Sequence, residues 1–236
     1  MIEKSEGLVI RTIKYSESTL IAKIFTRQHG LLSFIIPGAR SGKKTALGNI
    51  LQPTHYLLLD YNYQSNKNLL HIKECRLGQI HYTLMTDFVR KSIAIFYIEV
   101  LSKCIHEGEI NTSLFDFMKY EYEILDTSTS NASLSLSPHR FLLGLAMQLG
   151  FYPHIDTEGA YFHLSEGVFV HYADGSYTLD ANSSNHLRQI LSGAELTISF
   201  VPRKILLQHL LSYFQLHIPG FGAIQSVEIL HEILSA

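Results

Sequence analysis

Between residue 7 and about residue 77 the apolar positions fall into short runs, GLVIRTI, TLIAKIF, GLLSFII, HYLLLDYNY and NLLHIKEC, separated by polar or glycine-containing breaks. Leu8, Ile10 and Thr12 alternate with Val9, Arg11 and Ile13, and the breaks YSES, RQHG and QSNKN have turn composition. Five short strands in roughly 75 residues predict a small barrel, for which the five-stranded Greek-key OB-fold is the leading candidate and an SH3-like barrel the alternative.

Past residue 77 the period lengthens. Residues 81–106 read as one helix, with Phe88, Ser92, Ile95, Phe96, Glu99 and Val100 spaced by threes and fours. The switch predicts a barrel domain over residues 1–79 and a mainly α-helical domain over residues 80–236. Further helices are expected at 113–125, capped by Asn111, Thr112 or Ser113, and at 138–149, where Ser137 caps, Pro138 occupies the first turn and Gly150 terminates. The Ser/Thr run 127–137 reads as a loop. AYFHL and VFVHY, flanking Ser165-Glu166-Gly167, predict a β-hairpin inserted at about 160–173. Helices resume near residue 184 and again over 202–216 and 226–234, with HIPGFGAI breaking the last two. The expected class is therefore α+β, an N-terminal five-stranded barrel followed by helices carrying one hairpin.

Charge sharpens this division. The chain has 236 residues and a formal charge of −2. Residues 1–82 hold 11 basic and 5 acidic side chains, net +6, whereas residues 83–236 hold 8 and 16, net −8. Such a split favours an anionic partner for the barrel and excludes a uniformly basic coat protein. Cys75 and Cys104 are too few for a disulfide framework or a four-thiolate zinc site, so a reducing cytoplasm is expected. MIEKSEGLVI carries charges where a signal peptide needs an apolar run, and the longest apolar stretch, residues 93–101, contains Glu99 and falls short of the ~20 residues of a membrane span.

Gly38-Ala39-Arg40-Ser41-Gly42-Lys43-Lys44-Thr45 approaches the phosphate-binding pattern G-x-x-x-x-G-K-[ST] but fails on spacing, since three residues separate its glycines and Lys44 replaces the hydroxyl residue. The same loop can follow a phosphate backbone or simply solvate a surface. His154, His163 and His171 lie near Asp156, Glu158 and Asp174 without the close ligand pairs typical of zinc, and isolated histidines are the simpler reading. No nucleophile elbow or other catalytic constellation is present. The barrel cations Arg11, Lys14, Lys23, Arg27, Arg40, Lys43, Lys44, Lys67 and Lys73 interleave with Tyr15, Phe25, Phe34, Tyr61 and Tyr63. Cations bind phosphates by counterion release and exposed rings stack on bases, although strand aromatics usually pack inward. In the tail, Leu207, Leu211 and Phe214 form a stripe beside Arg203, Lys204 and His217, which reads either as core or as a basic-rimmed apolar groove for an acidic-hydrophobic peptide.

Gly7-Leu8-Val9-Ile10-Arg11-Thr12, Tyr15-Ser16-Glu17, Ile24-Phe25-Thr26-Arg27-Gln28-His29-Gly30, Pro37-Gly38-Ala39-Arg40 and Leu51-Gln52-Pro53 together resemble the N-terminal domain of the RecO family of bacterial DNA repair proteins. Phe115-Asp116-Phe117, the helix ending in Leu149-Gly150-Phe151-Tyr152-Pro153 and the closing helix from Ser226 resemble the family's helical domain. The resemblance implies an OB barrel followed by an α-helical domain. It also implies a non-enzymatic mediator without cofactors that binds single- and double-stranded DNA, anneals complementary strands and, with RecR, helps RecA replace single-strand-binding protein. The acidic C-terminal tail of that protein is expected on the helical domain, at Arg203, Lys204, Leu207 and Leu211. DNA is expected at Arg11, Lys14, Arg27, Arg40, Lys43 and Lys44. Many family members carry a four-cysteine zinc module after the position of Tyr152-Pro153; this chain has no cysteine there, so a metal-free hairpin closed by Tyr161, Phe162, Val168, Phe169 and Val170 is expected. A cytoplasmic, nucleoid-associated protein follows. A generic RNA-binding or adaptor barrel, and a hydrolase with a site assembled from scattered residues, are the alternatives.

Overall fold

The computed structural model describes residues 1–39, 45–175, 177–194 and 197–235. Five antiparallel strands open the chain: β1 (Ile2–Lys14), β2 (Leu20–Thr26), β3 (Gly30–Ile36), β4 (Tyr56–Asn62) and β5 (His71–Leu77), in the order β3-β2-β1-β4-β5. β1 pairs with β4 through its first half, from Ile2↔Asn62 to Leu8↔Tyr56, and with β2 through its second, from Gly7↔Thr26 to Lys14↔Leu20. Leu70 ties the open edges together, accepting from Ile35 N–H at 2.9 Å and donating to the Ser33 carbonyl at 2.9 Å. This connectivity is the OB-fold, as expected, rather than the SH3-like alternative. Val9, Ala22, Ile24, Phe34, Ile36, Leu57, Leu59 and Tyr61 fill its interior, and the short helix α1 (Thr45–Ile50) precedes Leu51, which is also buried there.

The 81–106 segment is two helices rather than one: α2 (Tyr82–Thr86) and α3 (Phe88–Cys104). Asp87 separates them in extended conformation, and its carboxylate accepts from Arg90 N–H, a cap that restarts the helix. α4 (Thr112–Thr127) follows, with Asn111 Oδ1 accepting from Leu114 N–H at 2.9 Å. Its apolar positions Leu114, Phe115, Met118, Tyr122 and Leu125 are all buried. Compact packing divides the chain at residue 126, into a unit Met1–Asp126 that contains the barrel and a unit Thr127–Ala236. The change from strands to helices lies earlier, between the end of β5 at Leu77 and the start of α2 at Tyr82.

In the second unit, α5 (Asn131–Leu149) starts at the cap Ser130 and runs straight through most of the stretch expected to be a loop. Pro138 therefore lies inside the helix, where it has no N–H for the Leu134 carbonyl. The Ser137 hydroxyl donates to that carbonyl at 2.8 Å and replaces the missing bond. Gly150 ends the helix in left-handed conformation, φ 84°. The inserted hairpin is β6 (Tyr161–His163) and β7 (Val168–Val170), with Phe162 and Phe169 ring to ring at 5.1 Å. Then come α6 (Ala181–Leu191), α7 (Phe200–His217) and α8 (Ser226–Ile233). Among the described residues no helix is long and apolar enough to cross a membrane.

Candidate nucleic-acid interface

β1 carries the first expected cation. Arg11 and Ile13 share one face of the strand beyond a bulge at Ile10, and Tyr15 follows at the turn, 65% exposed. Arg11 stands opposite Lys23 of β2, a like-charge pair that costs stability unless something neutralises it. Glu107 does so for Lys23: its carboxylate accepts from Lys23 Nζ at 3.1 Å and from the Ser33 hydroxyl at 2.9 Å. Burial opposes ionisation of Glu107, but these two hydrogen bonds prevail and hold its carboxyl below the usual range. Arg11 itself makes no ion pair among the described residues and is exposed. Lys14, at the end of the strand, meets only Glu17 at 3.2 Å, and both are open to solvent.

Arg27 has a different environment. Its guanidinium donates from Nε and Nη2 to the two carboxylate oxygens of Asp116, each at 2.8 Å, a bidentate pair that joins the end of β2 to α4. Hydrogen bonds from Arg27 hold the Asp116 carboxyl below its normal range. Next to it, Lys119 donates to Glu6 at 3.1 Å. Arg27 is therefore a structural tie that would have to leave Asp116 to meet a phosphate. Lys4 pairs with Asp60 at 3.4 Å, whereas Lys67, Lys73 and Arg76 make no ion pair among the described residues. Arg40, Lys43 and Lys44, expected to meet DNA, lie outside the described residues.

The aromatic residues sort as strand parity dictates. Phe34 and Tyr61 are barrel interior, Phe25 is buried on the other face of β2 with its ring 5.6 Å from that of Phe115 on α4, Tyr15 is exposed and Tyr63 half-buried. A cleft of about 460 Å³ is lined by Lys4, Glu6, Arg27, Asp60, Glu74 and Arg76 among others. Carboxylates there match the cations, so it offers an anion no net attraction.

In the second unit Arg203 is only 8% exposed; it donates to the Ile198 carbonyl at 3.1 Å and to the Leu234 carbonyl. Its charge is directed at the chain itself. Arg203, Lys204 and Leu207 line a narrow crevice of about 10 Å³ with Phe200, Leu230 and His139, whereas Leu211 lies outside the lining. His139 Nε2 is 2.9 Å from the Arg203 carbonyl, and burial lowers the imidazole to about 4, so it is neutral. Among the described residues no cluster of His, Cys, Asp or Glu suits a metal ion. His163 instead hydrogen-bonds Asp174 through Nε2 at 2.7 Å, while its Nδ1 accepts from Glu166 N–H at 3.3 Å and lies 3.2 Å from the Ser165 hydroxyl. The imidazole thus clamps the tight turn of the hairpin.

The comparisons with known proteins fit this architecture. Residues 1–81 match the family model for recombination protein O, N terminal, and residues 85–222 that for recombination protein O, C terminal. A DNA repair protein RecO of Flavobacterium psychrophilum is 31% identical over 239 residues, spanning 98% of this chain and 99% of its own length. Proteins of the same name from Christiangramia forsetii and Phocaeicola vulgatus are 27% and 28% identical over 242 and 246 residues, again across nearly the whole of both chains.

Proposed function

The chain belongs to the RecO family, and on that premise we propose that it is a DNA repair protein whose barrel binds single- and double-stranded DNA and anneals complementary strands. The observation that carries the reading is Arg11, exposed, opposite Lys23 and without an ion pair among the described residues, on the strand of an OB barrel that ends in Lys14 and is followed by the exposed ring of Tyr15. Cations of this kind hold phosphates without reading sequence, and an exposed ring stacks on any base. Arg11 and Lys14 are the described residues of the DNA surface; Arg40, Lys43 and Lys44, assigned to it from sequence, lie outside the described residues. Arg27 joins only when Asp116 releases it.

Annealing by this route needs no nucleotide and no cofactor, and no reaction is assigned to the protein. Neutralising two backbones at once lowers their repulsion and raises the local concentration of complementary segments. The helical unit is the surface for proteins: RecR, and the acidic C-terminal tail of single-strand-binding protein, through which RecA gains access to coated DNA. The crevice at Lys204 and Leu207 supports that assignment, with Lys204 rather than the inward-held Arg203 as the cation that meets the tail. Such a protein works in the cytoplasm, at the nucleoid.

The test is annealing of two complementary fluorescent oligonucleotides at two salt concentrations, without nucleotide, on bare strands and on strands coated by the cognate single-strand-binding protein. Salt-sensitive acceleration that persists on coated strands is expected. A folded protein that accelerates neither would be an adaptor instead, and preferential binding of RNA would point to recognition of the 2′-hydroxyl.

A further inference from the structure

A second groove of the barrel unit is lined by none of Arg11, Lys14 and Tyr15. It has a volume of about 250 Å³ and is formed by the β2–β3 turn, β3, the connection between β4 and β5, and residues 107–110. Its organising feature is a pair of stacked rings, His29 and Tyr63, with centroids 3.8 Å apart and planes inclined by 19°. The buried Tyr61 hydroxyl lies 2.7 Å from His29 Nδ1, and burial pushes that phenol up to about 12, so it stays protonated and fixes the imidazole. The rings are thus held in place before any ligand arrives. Around them stand the amides Gln64 and Asn68 and the cation Lys67, which has no ion pair among the described residues. Glu107, the carboxylate of the groove, is already occupied by Lys23 and Ser33. Gly30 fixes one wall: at φ +67° its position would put a Cβ 1.9 Å from the Glu109 carbonyl oxygen, so only glycine lets the two segments approach.

A rigid aromatic stack, amides able to donate and accept at a base edge, and one uncompensated cation are the components that a single unpaired nucleotide needs. We infer that this groove takes one unstacked nucleobase of a single strand against the His29–Tyr63 pair, with Lys67 on the adjoining phosphate. The inference rests on the reading of the barrel as a DNA-binding module. It gives the barrel a second hold on a strand, one that duplex DNA cannot use because its bases are stacked and paired.

The test uses the full chain and an oligo-dT strand, either intact with one 2-aminopurine or with abasic sites in place of its bases. Wild-type protein is expected to bind the intact strand about 5- to 150-fold more tightly than the abasic one, the range that stacking of one base provides, and to quench the 2-aminopurine. Tyr63→Leu, checked for folding by its melting curve, is expected to lose the quenching and most of that preference, with its salt dependence unchanged. Lys67→Gln is expected to keep the preference and flatten the salt dependence by about 0.7 in log–log slope. Equal affinity of the wild type for intact and abasic strands overturns the inference, as does a folded Tyr63→Leu that behaves as wild type. In either case binding lost on Arg11→Ala would leave the barrel a DNA-binding module, whereas no DNA binding by the wild type would overturn both readings. If Tyr63→Leu does not fold, an unaltered salt slope for Lys67→Gln overturns the inference.

Discussion

Arg11 and Arg27 are both basic positions of the barrel shared with the family pattern, yet their environments predict opposite behaviour on DNA. Arg11 pairs with no carboxylate among the described residues, so a phosphate reaching it displaces a counterion; Arg27 is already neutralised by two 2.8 Å bonds to Asp116. On a single strand each such phosphate contact contributes about 0.7 to the slope of log affinity against log salt. Arg11→Ala should therefore flatten the slope by about 0.7, which makes the loss of affinity between 50 and 200 mM salt about 2.5-fold smaller than in wild type. Arg27→Ala should leave the slope unchanged, and Asp116→Asn, which frees the guanidinium, should steepen it by up to about 0.7. Fluorescence anisotropy of a labelled oligo-dT titrated at five or so salt concentrations resolves these differences, with melting curves to establish that each variant is folded. If Arg27→Ala flattens the slope as much as Arg11→Ala does, the Asp116 pair gives way to phosphate and the argument from charge compensation is wrong.

Three further outcomes follow from the packing. Burial raises the carboxyl of the half-buried Glu121 on α4 to about 7; this proton is held more tightly in the folded than in the unfolded chain, so stability declines as pH rises from about 4.5 to 7, and Glu121→Gln should stabilise by up to about 3 kcal/mol at pH 8 and by almost nothing at pH 4.5 in urea titrations. His139 has the opposite sign: its imidazole is lowered to about 4, so its contribution is present above about pH 6.5 and fades as pH falls toward 4, a decline that His139→Gln should reduce, as read from the unfolding of the second unit. Ser137→Ala should cost about 1 kcal/mol by leaving the Leu134 carbonyl without a donor, and much less in a Pro138→Ala background, where the helix supplies its own N–H, a non-additivity that a double-mutant cycle on urea midpoints measures.

The barrel was legible because its interior alternates. Val9, Ile24, Phe34 and Leu59 stand at positions where strand parity alone turns them inward. The beginning of β1 was not, since Glu3, Lys4, Ser5 and Glu6 read as a polar lead-in and become strand only through pairing with β4, whose residues lie more than fifty positions on. Helix α5 hid behind serines, whose preference for loops was overcome by hydroxyls that bond backwards: Ser135 to the Ala132 carbonyl and Ser137 to that of Leu134. Asp87 divides α2 from α3 without disturbing the spacing of apolar residues on which the single helix was read. The site was half legible. Sequence identified the cations but not their carboxylates, because Glu107 and Asp116 reach Lys23 and Arg27 across separations of 84 and 89 residues. The same limit concealed the His29–Tyr63 stack, whose members lie in different turns and carry no shared motif. In the helical tail the periodicity of α7 marks Leu207 and Phe214 as buried apolar positions but says nothing of where a long guanidinium bends, and Arg203 bends inward.

The way β1 is shared between its neighbours governs the order in which the barrel can form. Its second half pairs with β2, and β2 with β3, through connections of only a few residues, so this meander can assemble as soon as that part of the chain has left the ribosome. The first half has no partner until β4 is made, and Leu70 must follow before the edge of β3 is covered. During that interval of synthesis Leu8 and Val9, and the inward face of β2 and β3, border an open strand edge. Slow elongation through the α1 segment and β4 would prolong that exposure, which makes the early chain, rather than the finished protein, the form most vulnerable to aggregation.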